Sequence, residues 1–221
     1  MITLRLLFLM SLLLCASCSS VNSALGGNSE KDALAEAKYP SDPRGVVMKV
    51  QSSQNLNRYA GVPHTVAIAV IQGNNLKAIR KLTQNTVELD NLLSGKPASD
   101  PAIVGVDRLI VQPDAADTTV MARRADAQVV MVYAGYYNAT LEQRTRMIEV
   151  PINVSSKGIL VSTHTAKPLP MHLSLVLDET NIQSLAISTP DEKAIYPSGN
   201  NPELQGERIQ RDVNSLKVMP L

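Results

Sequence analysis

Both cysteines of the 221-residue chain, Cys15 and Cys18, fall three positions apart in "LLLCASCSS", residues 12–20. Two thiols at that spacing suit a redox pair, a metal site or a processing signal. The first two need a folded site around the sulfurs. What surrounds them is a short basic start (Arg5), an apolar run over 6–14 broken only by Ser11, and the small residues Ala16 and Ser17. Those features make a secretory signal peptide over residues 1–17. The apolar run is shorter than the about 20 residues that span a bilayer, so the chain is expected to be exported.

The neighbours separate the two cysteines. Leu14 directly precedes Cys15, a poor cleavage neighbour, whereas Cys18 has Ala16-Ser17 before it and Ser19-Ser20 after it. That arrangement resembles the lipobox of bacterial lipoproteins, although Cys15 stands where such motifs usually carry Leu. The resemblance implies that Cys18 becomes the first mature residue and carries the lipid. Two or more acyl chains, at about 0.8 kcal/mol per buried methylene, hold a protein at a membrane essentially permanently. Ser19 follows in place of Asp, which by the bacterial sorting pattern implies the outer membrane. A lipidated Cys18 leaves no free thiol in the mature chain.

The remaining residues offer little catalytic chemistry. Histidines occur only at 64, 164 and 172, without metal-ligand spacing, and "TAKPLPM" between the last two is too proline-broken to place them on one helix face. No nucleophile elbow or phosphate-cradling glycine loop is present. Loss of residues 1–17 removes Arg5, leaving 20 basic against 20 acidic residues. A net charge near zero argues against nucleic acid as a partner. No enzyme activity, cofactor or metal is expected. The single Phe, Phe8, leaves with the signal and there is no Trp, so Val, Ile, Leu, Met, Ala and some of six tyrosines must build the core.

Residues 18–45 read as an acylated N-terminus and flexible tether, with "DALAEAK" (32–38) able to form a passing helical turn before "YPSDPRG" stops it. From Val46 the chain turns β-rich. Strands are expected at 46–51, 65–72, 106–113, 118–123, 127–137, 144–152, 157–163, 171–178 and 182–188. In "TVAIAVIQ" (65–72) both faces are apolar, the mark of a central strand. After it, Leu76, Ile79 and Leu82, then Leu89, Leu92 and Leu93 behind an Asn85–Glu88 capping pair, predict a short helical insertion that ends at Gly95. Residues 46–188 are thus expected to form an all-β sandwich of about eight to nine strands. Residues 189–221 are expected to be a polar, disordered tail.

Three stretches carry a further resemblance: "QNLNRYAGVPHTVAIAVIQ" (54–72), "DRLIVQPDAADTTVMARRADAQVVMVYAGYY" (107–137) and "RTRMIEVPI" (144–152). Together they resemble the TssJ (VasD-type) outer-membrane lipoproteins of bacterial type VI secretion systems, over roughly residues 46–152. Asp114 stands where the family has Gly after "QP", the insertion lacks the family's Phe, and the C-terminal tail is long. The resemblance implies a transthyretin-like β-sandwich tethered to the outer membrane and facing the periplasm. It also implies binding to the periplasmic domain of the IcmF-like (TssM) inner-membrane protein and to other subunits of the secretion membrane complex. The family's contact is the loop between the first two strands, here Ser52–His64, which makes Asn55, Leu56, Asn57, Arg58, Tyr59, Gly61, Val62, Pro63 and His64 the candidate partner-binding residues.

The residues of that loop leave two readings open. Arg58 and Tyr59 are good interface anchors if displayed, or Tyr59 folds back onto the sandwich and the loop is a plain connector. Tyr133 and Tyr137 share one strand face with Gly135 between them, which predicts core or bulge packing for both. The alternative to an assembly lipoprotein is a periplasmic ligand- or carbohydrate-binding lipoprotein of unrelated sandwich type. That function would want aromatic residues this chain lacks.

Overall fold

The alternation of apolar residues resolves into eight strands in two sheets. The structure, a computed structural model, describes residues 26–158 and 161–187; Cys15, Cys18, Ser19 and the tail 189–221 lie outside them. One sheet has the order β10-β9-β1-β4, from Ile182–Ile187, Met171–Leu177, Asp42–Ser52 and Ala116–Arg123. β1 runs parallel to β9 and antiparallel to β4. The other sheet is antiparallel, β3-β2-β5-β6, from Ile103–Val111, Val66–Gly73, Val129–Ala134 and Thr145–Glu149. Their facing sides share one core, with Val46, Met48, Leu173 and Leu175 from the first sheet and Ile68, Val70, Val130 and Val132 from the second. Each such fully buried side chain contributes about 1.5–3 kcal/mol through removal from water. This is the all-β sandwich, with a helical insertion after the second strand, that the sequence leads one to expect.

The insertion explains why β2 and β5 are apolar on both faces. Helices α2 (Leu76–Leu82) and α3 (Thr86–Leu93) cover the second sheet, where Ile79, Leu82, Leu89 and Leu92 form a second core with Ala69, Ile71, Met131 and Tyr133. Asn75 and Asn85 cap them, accepting from the Ala78 and Glu88 amides. The Tyr133 hydroxyl donates to Asp90 of α3 at 2.5 Å. Arg144 lies over the Tyr133 ring at 4.9 Å and pairs with the same carboxylate at 3.4 Å. Burial, then the bond to Asp90, pushes the Tyr133 phenol well above its ordinary range.

A separate, smaller unit holds α1 (Glu30–Ala35) and a two-stranded hairpin, β7 (Ile152–Lys157) with β8 (Thr163–Pro168). Ser29 and Asp32 close a capping box on α1, and the bonds from Ser29 hold the Asp32 carboxyl below its usual range. The Asn28 carboxamide bonds both the carbonyl and the amide of His164.

Four expectations need correcting. The strand expected at 157–163 instead spans the end of β7 at Lys157 and the start of β8 at Thr163. Gly158 has φ +110°, and a Cβ there would meet the Val161 carbonyl oxygen at 1.8 Å, so the strand stops at Gly158; Ile159 and Leu160 lie outside the described residues. The strand expected at 144–152 is shorter, because Thr140 and Gln143 cap a single helical turn, α4 (Leu141–Arg144), before β6. Residues 30–45, assigned to the tether, contain α1 and the first residues of β1. The capping box and the burial of Ala33 supply the order that composition alone did not suggest. The first strand starts at Asp42 rather than Val46, where Gly45 makes room for buried Arg123; that guanidinium donates to the Leu169 and Pro40 carbonyls.

Candidate partner-binding surface

The β1–β2 loop is held at its base and open at its tip. Leu56 is fully buried in the sandwich core, and Asn57 beside it is 3% exposed. Asn57 takes a left-handed backbone, φ +48°, a conformation asparagine tolerates better than most residues. Beyond it the chain makes a miniature hairpin. The Tyr59 and Val62 amides each donate to the other's carbonyl, at 2.9 and 3.0 Å. Ala60 and Gly61 between them have φ +50° and +85°, the pattern of a two-residue turn with both central residues left-handed. Arg58 closes the tip from the side, its Nε donating to the Gly61 carbonyl at 3.1 Å. His64 then rejoins the base through its amide to the Leu56 carbonyl at 2.9 Å.

Tyr59 does not fold into the sandwich. It is 53% exposed and leans on Tyr137 at 5.3 Å between ring centroids, with His64 5.5 Å from Tyr137 and 6.5 Å from Tyr59. Val62 stands next to them, 56% exposed. The nine residues assigned to the loop therefore divide. Asn55, Arg58, Tyr59, Gly61, Val62 and Pro63 are exposed, His64 is half-buried, and Leu56 and Asn57 are interior supports.

Tyr137 is the surface residue that strand reasoning missed. Its parity with Tyr133 holds, but the helical cover stops short of it: a Cβ on Gly135 would meet Leu93 Cδ2 at 2.8 Å, and α3 ends at Leu93. Tyr137, two residues further on, is 60% exposed. Tyr136 points the other way into the core, its hydroxyl donating to the Asn181 and Asp178 carbonyls at 2.8 and 3.1 Å, and burial raises its pKa well above the ordinary tyrosine value.

Three rings, a valine and an arginine make no acid, base or nucleophile constellation. They supply polarisable and apolar contact area with one cationic rim group, the composition of a protein-binding hot spot. Among the described residues no three His, Cys, Asp or Glu gather closely enough to hold a metal ion. His164 and His172 sit on β8 and β9, away from this loop in sequence and each within its own strand. Among the described residues no helix is long and apolar enough to cross a membrane.

No protein-family model matches the chain, and no curated protein sequence matches it. Solved structures do resemble it. The chain is similar to type VI secretion lipoproteins. With the type VI lipoprotein TssJ1 of Pseudomonas aeruginosa it shares 16% identity over 68% of this chain and 98% of that one, with a TM-score of 0.45. With Lip of Serratia marcescens, a membrane-bound component of the type VI secretion system, the values are 12%, 65%, 96% and 0.42. A chain of a type VI membrane complex gives 13%, 68%, 99% and 0.44.

Proposed function

We propose that this protein is a structural and assembly lipoprotein of a type VI secretion membrane complex. In this reading Cys18 carries the lipid, and Ser19 directs the protein to the outer membrane, where its sandwich faces the periplasm. The β1–β2 loop binds the periplasmic domain of the IcmF-like (TssM) inner-membrane protein. The observation that carries the reading is the loop itself, which the TssJ-like stretches of the sequence mark as the contact. Leu56 and Asn57 fix its base, so Arg58, Tyr59 and Val62 stand exposed at no cost in core packing. A rigid scaffold presenting such a tip is a common way for a sandwich to hold a partner. The role is mechanical, a contact between two membrane-anchored proteins, and requires no catalytic group.

Removing a Tyr or Arg hot spot commonly costs about 2 kcal/mol or more, roughly thirtyfold in affinity. The double change Arg58→Ala with Tyr59→Ala is therefore expected to weaken binding of the full-length acylated protein, in detergent, to the periplasmic domain of the IcmF-like protein. Its thermal midpoint should stay near that of the unaltered protein, because neither side chain enters the core. Calorimetric titration with a parallel melt checks both. Unchanged affinity would move the contact elsewhere on the sandwich.

A further inference from the structure

The pairing of β2 with β5 stops one rung early. Ile68 opposes Ala134, and the next bond runs from the Gly135 amide to the Ala67 carbonyl at 2.8 Å. In an antiparallel ladder the following rung would join the Tyr137 amide to the Thr65 carbonyl. Neither group meets the other. The Asn57 carboxamide occupies the place of that bond: its Oδ1 accepts from the Tyr137 amide at 2.9 Å and its Nδ2 donates to the Thr65 carbonyl at 2.9 Å. A buried side chain with both ends satisfied by two different backbone segments is strongly fixed, because each group left unpaired there would cost its full desolvation.

We infer that Asn57 is a positioning residue for partner binding, and that Tyr137 belongs to the same contact surface as Tyr59. This rests on the reading of the β1–β2 loop as the contact for the IcmF-like partner, and it adds a residue from a second loop to that contact. One carboxamide sets both the base of the loop tip and the backbone of Tyr137. The three rings of Tyr59, His64 and Tyr137 are thereby held at 5.3–6.5 Å from one another before any partner arrives. Preforming a surface in this way lowers the ordering cost of association. Tyr137 is also the most exposed of the cluster's tyrosines, so it is available to a partner as Tyr59 is.

The test uses full-length acylated protein in detergent and the periplasmic domain of the IcmF-like protein, with affinity by calorimetry, a thermal midpoint, and amide exchange at Tyr137 by NMR. Tyr137→Ala is expected to weaken binding about tenfold or more, with little change in midpoint. Asn57→Gly keeps the left-handed backbone but removes the carboxamide; it should speed exchange of the Tyr137 amide and weaken binding by a similar factor. Combined, the two changes should weaken binding by clearly less than the product of their separate effects, since Asn57 acts partly through Tyr137. If Asn57→Gly does not fold, Asn57→Asp, which keeps the acceptor toward Tyr137 and loses the donor to Thr65, takes its place in the same cycle. Faster exchange and a lower midpoint with unchanged affinity would make Asn57 a structural residue only and overturn the inference. Full affinity in Tyr137→Ala, alongside lost affinity in Arg58→Ala with Tyr59→Ala, would also overturn it while leaving the loop reading intact. No binding by the unaltered protein would overturn both.

Discussion

Tyr133, Tyr136 and Tyr137 lie within five residues and meet three environments: under the helices, inside the sandwich, and at the surface. The two buried phenols titrate above their ordinary range, for burial in both cases, with Asp90 adding to the effect on Tyr133 and Asp178 to that on Tyr136. The sign follows from linkage. A tyrosine whose folded pKa is raised stabilises the fold fully below the unfolded value of about 10, and that contribution is lost as pH rises through the folded value. Denaturant unfolding should therefore show stability level from pH 7 to about 9 and falling above about 10. In a Tyr133→Phe, Tyr136→Phe protein the alkaline fall should be shallower, and an identical fall would contradict the assignment. At this scale the sequence discloses residue type and parity but not cover. It places Tyr133 and Tyr137 on one face, and only the position of Leu93 decides that one is buried and the other is not. The burial of Asn57 was equally hidden, because one of its two partners lies 80 residues away.

Elements were legible where local rules and tertiary cover agree. The capping asparagine at 85, the leucine spacing of the insertion and the doubly apolar β2 all express one arrangement, helices lying on a sheet. They were illegible where a local strand signal meets a backbone turn, as at Lys157, where β7 stops before the left-handed Gly158. The seating of the helices depends on two glycines, Gly73 at the end of β2 and Gly135 just past the end of β5. A Cβ on Gly73 would meet Ile79 Cγ1 at 2.2 Å and the Ala102 carbonyl oxygen at 3.1 Å, whereas on Gly135 its nearest neighbour is a methyl of half-buried Leu93 at 2.8 Å. Overpacking of a closed core costs about 1–3 kcal/mol, so Gly73→Ala is expected to lower the unfolding free energy measured by denaturant titration by that amount and Gly135→Ala by less, since Leu93 can rotate away. A Gly135→Ala protein destabilised as much as Gly73→Ala would show that α3 is seated as rigidly as α2.

On the scale of the whole chain, the proposed role joins an N-terminal anchor to a sandwich that offers a preformed loop. In the proposed role the signal peptide, Cys18 and Ser19 rest on linear motifs alone, because export and lipidation are read before folding. The proposed contact could be drawn from sequence only as a segment, since the exposed and buried members of the β1–β2 loop are sorted by geometry, not by residue type. In that role the loop meets the IcmF-like protein while the lipid holds this chain at the outer membrane. The most direct measurement places a photo-crosslinking amino acid at position 59 in cells carrying the secretion system, with the unaltered anchor and with Cys18→Ser. With the anchor intact, an adduct with the IcmF-like protein is expected in the outer-membrane fraction. Cys18→Ser should release the sandwich to the soluble periplasm and reduce that adduct. Abundant, membrane-fractionated protein that yields no such adduct from position 59, while a probe at Val120 on the outer side of the other sheet does, would contradict the account.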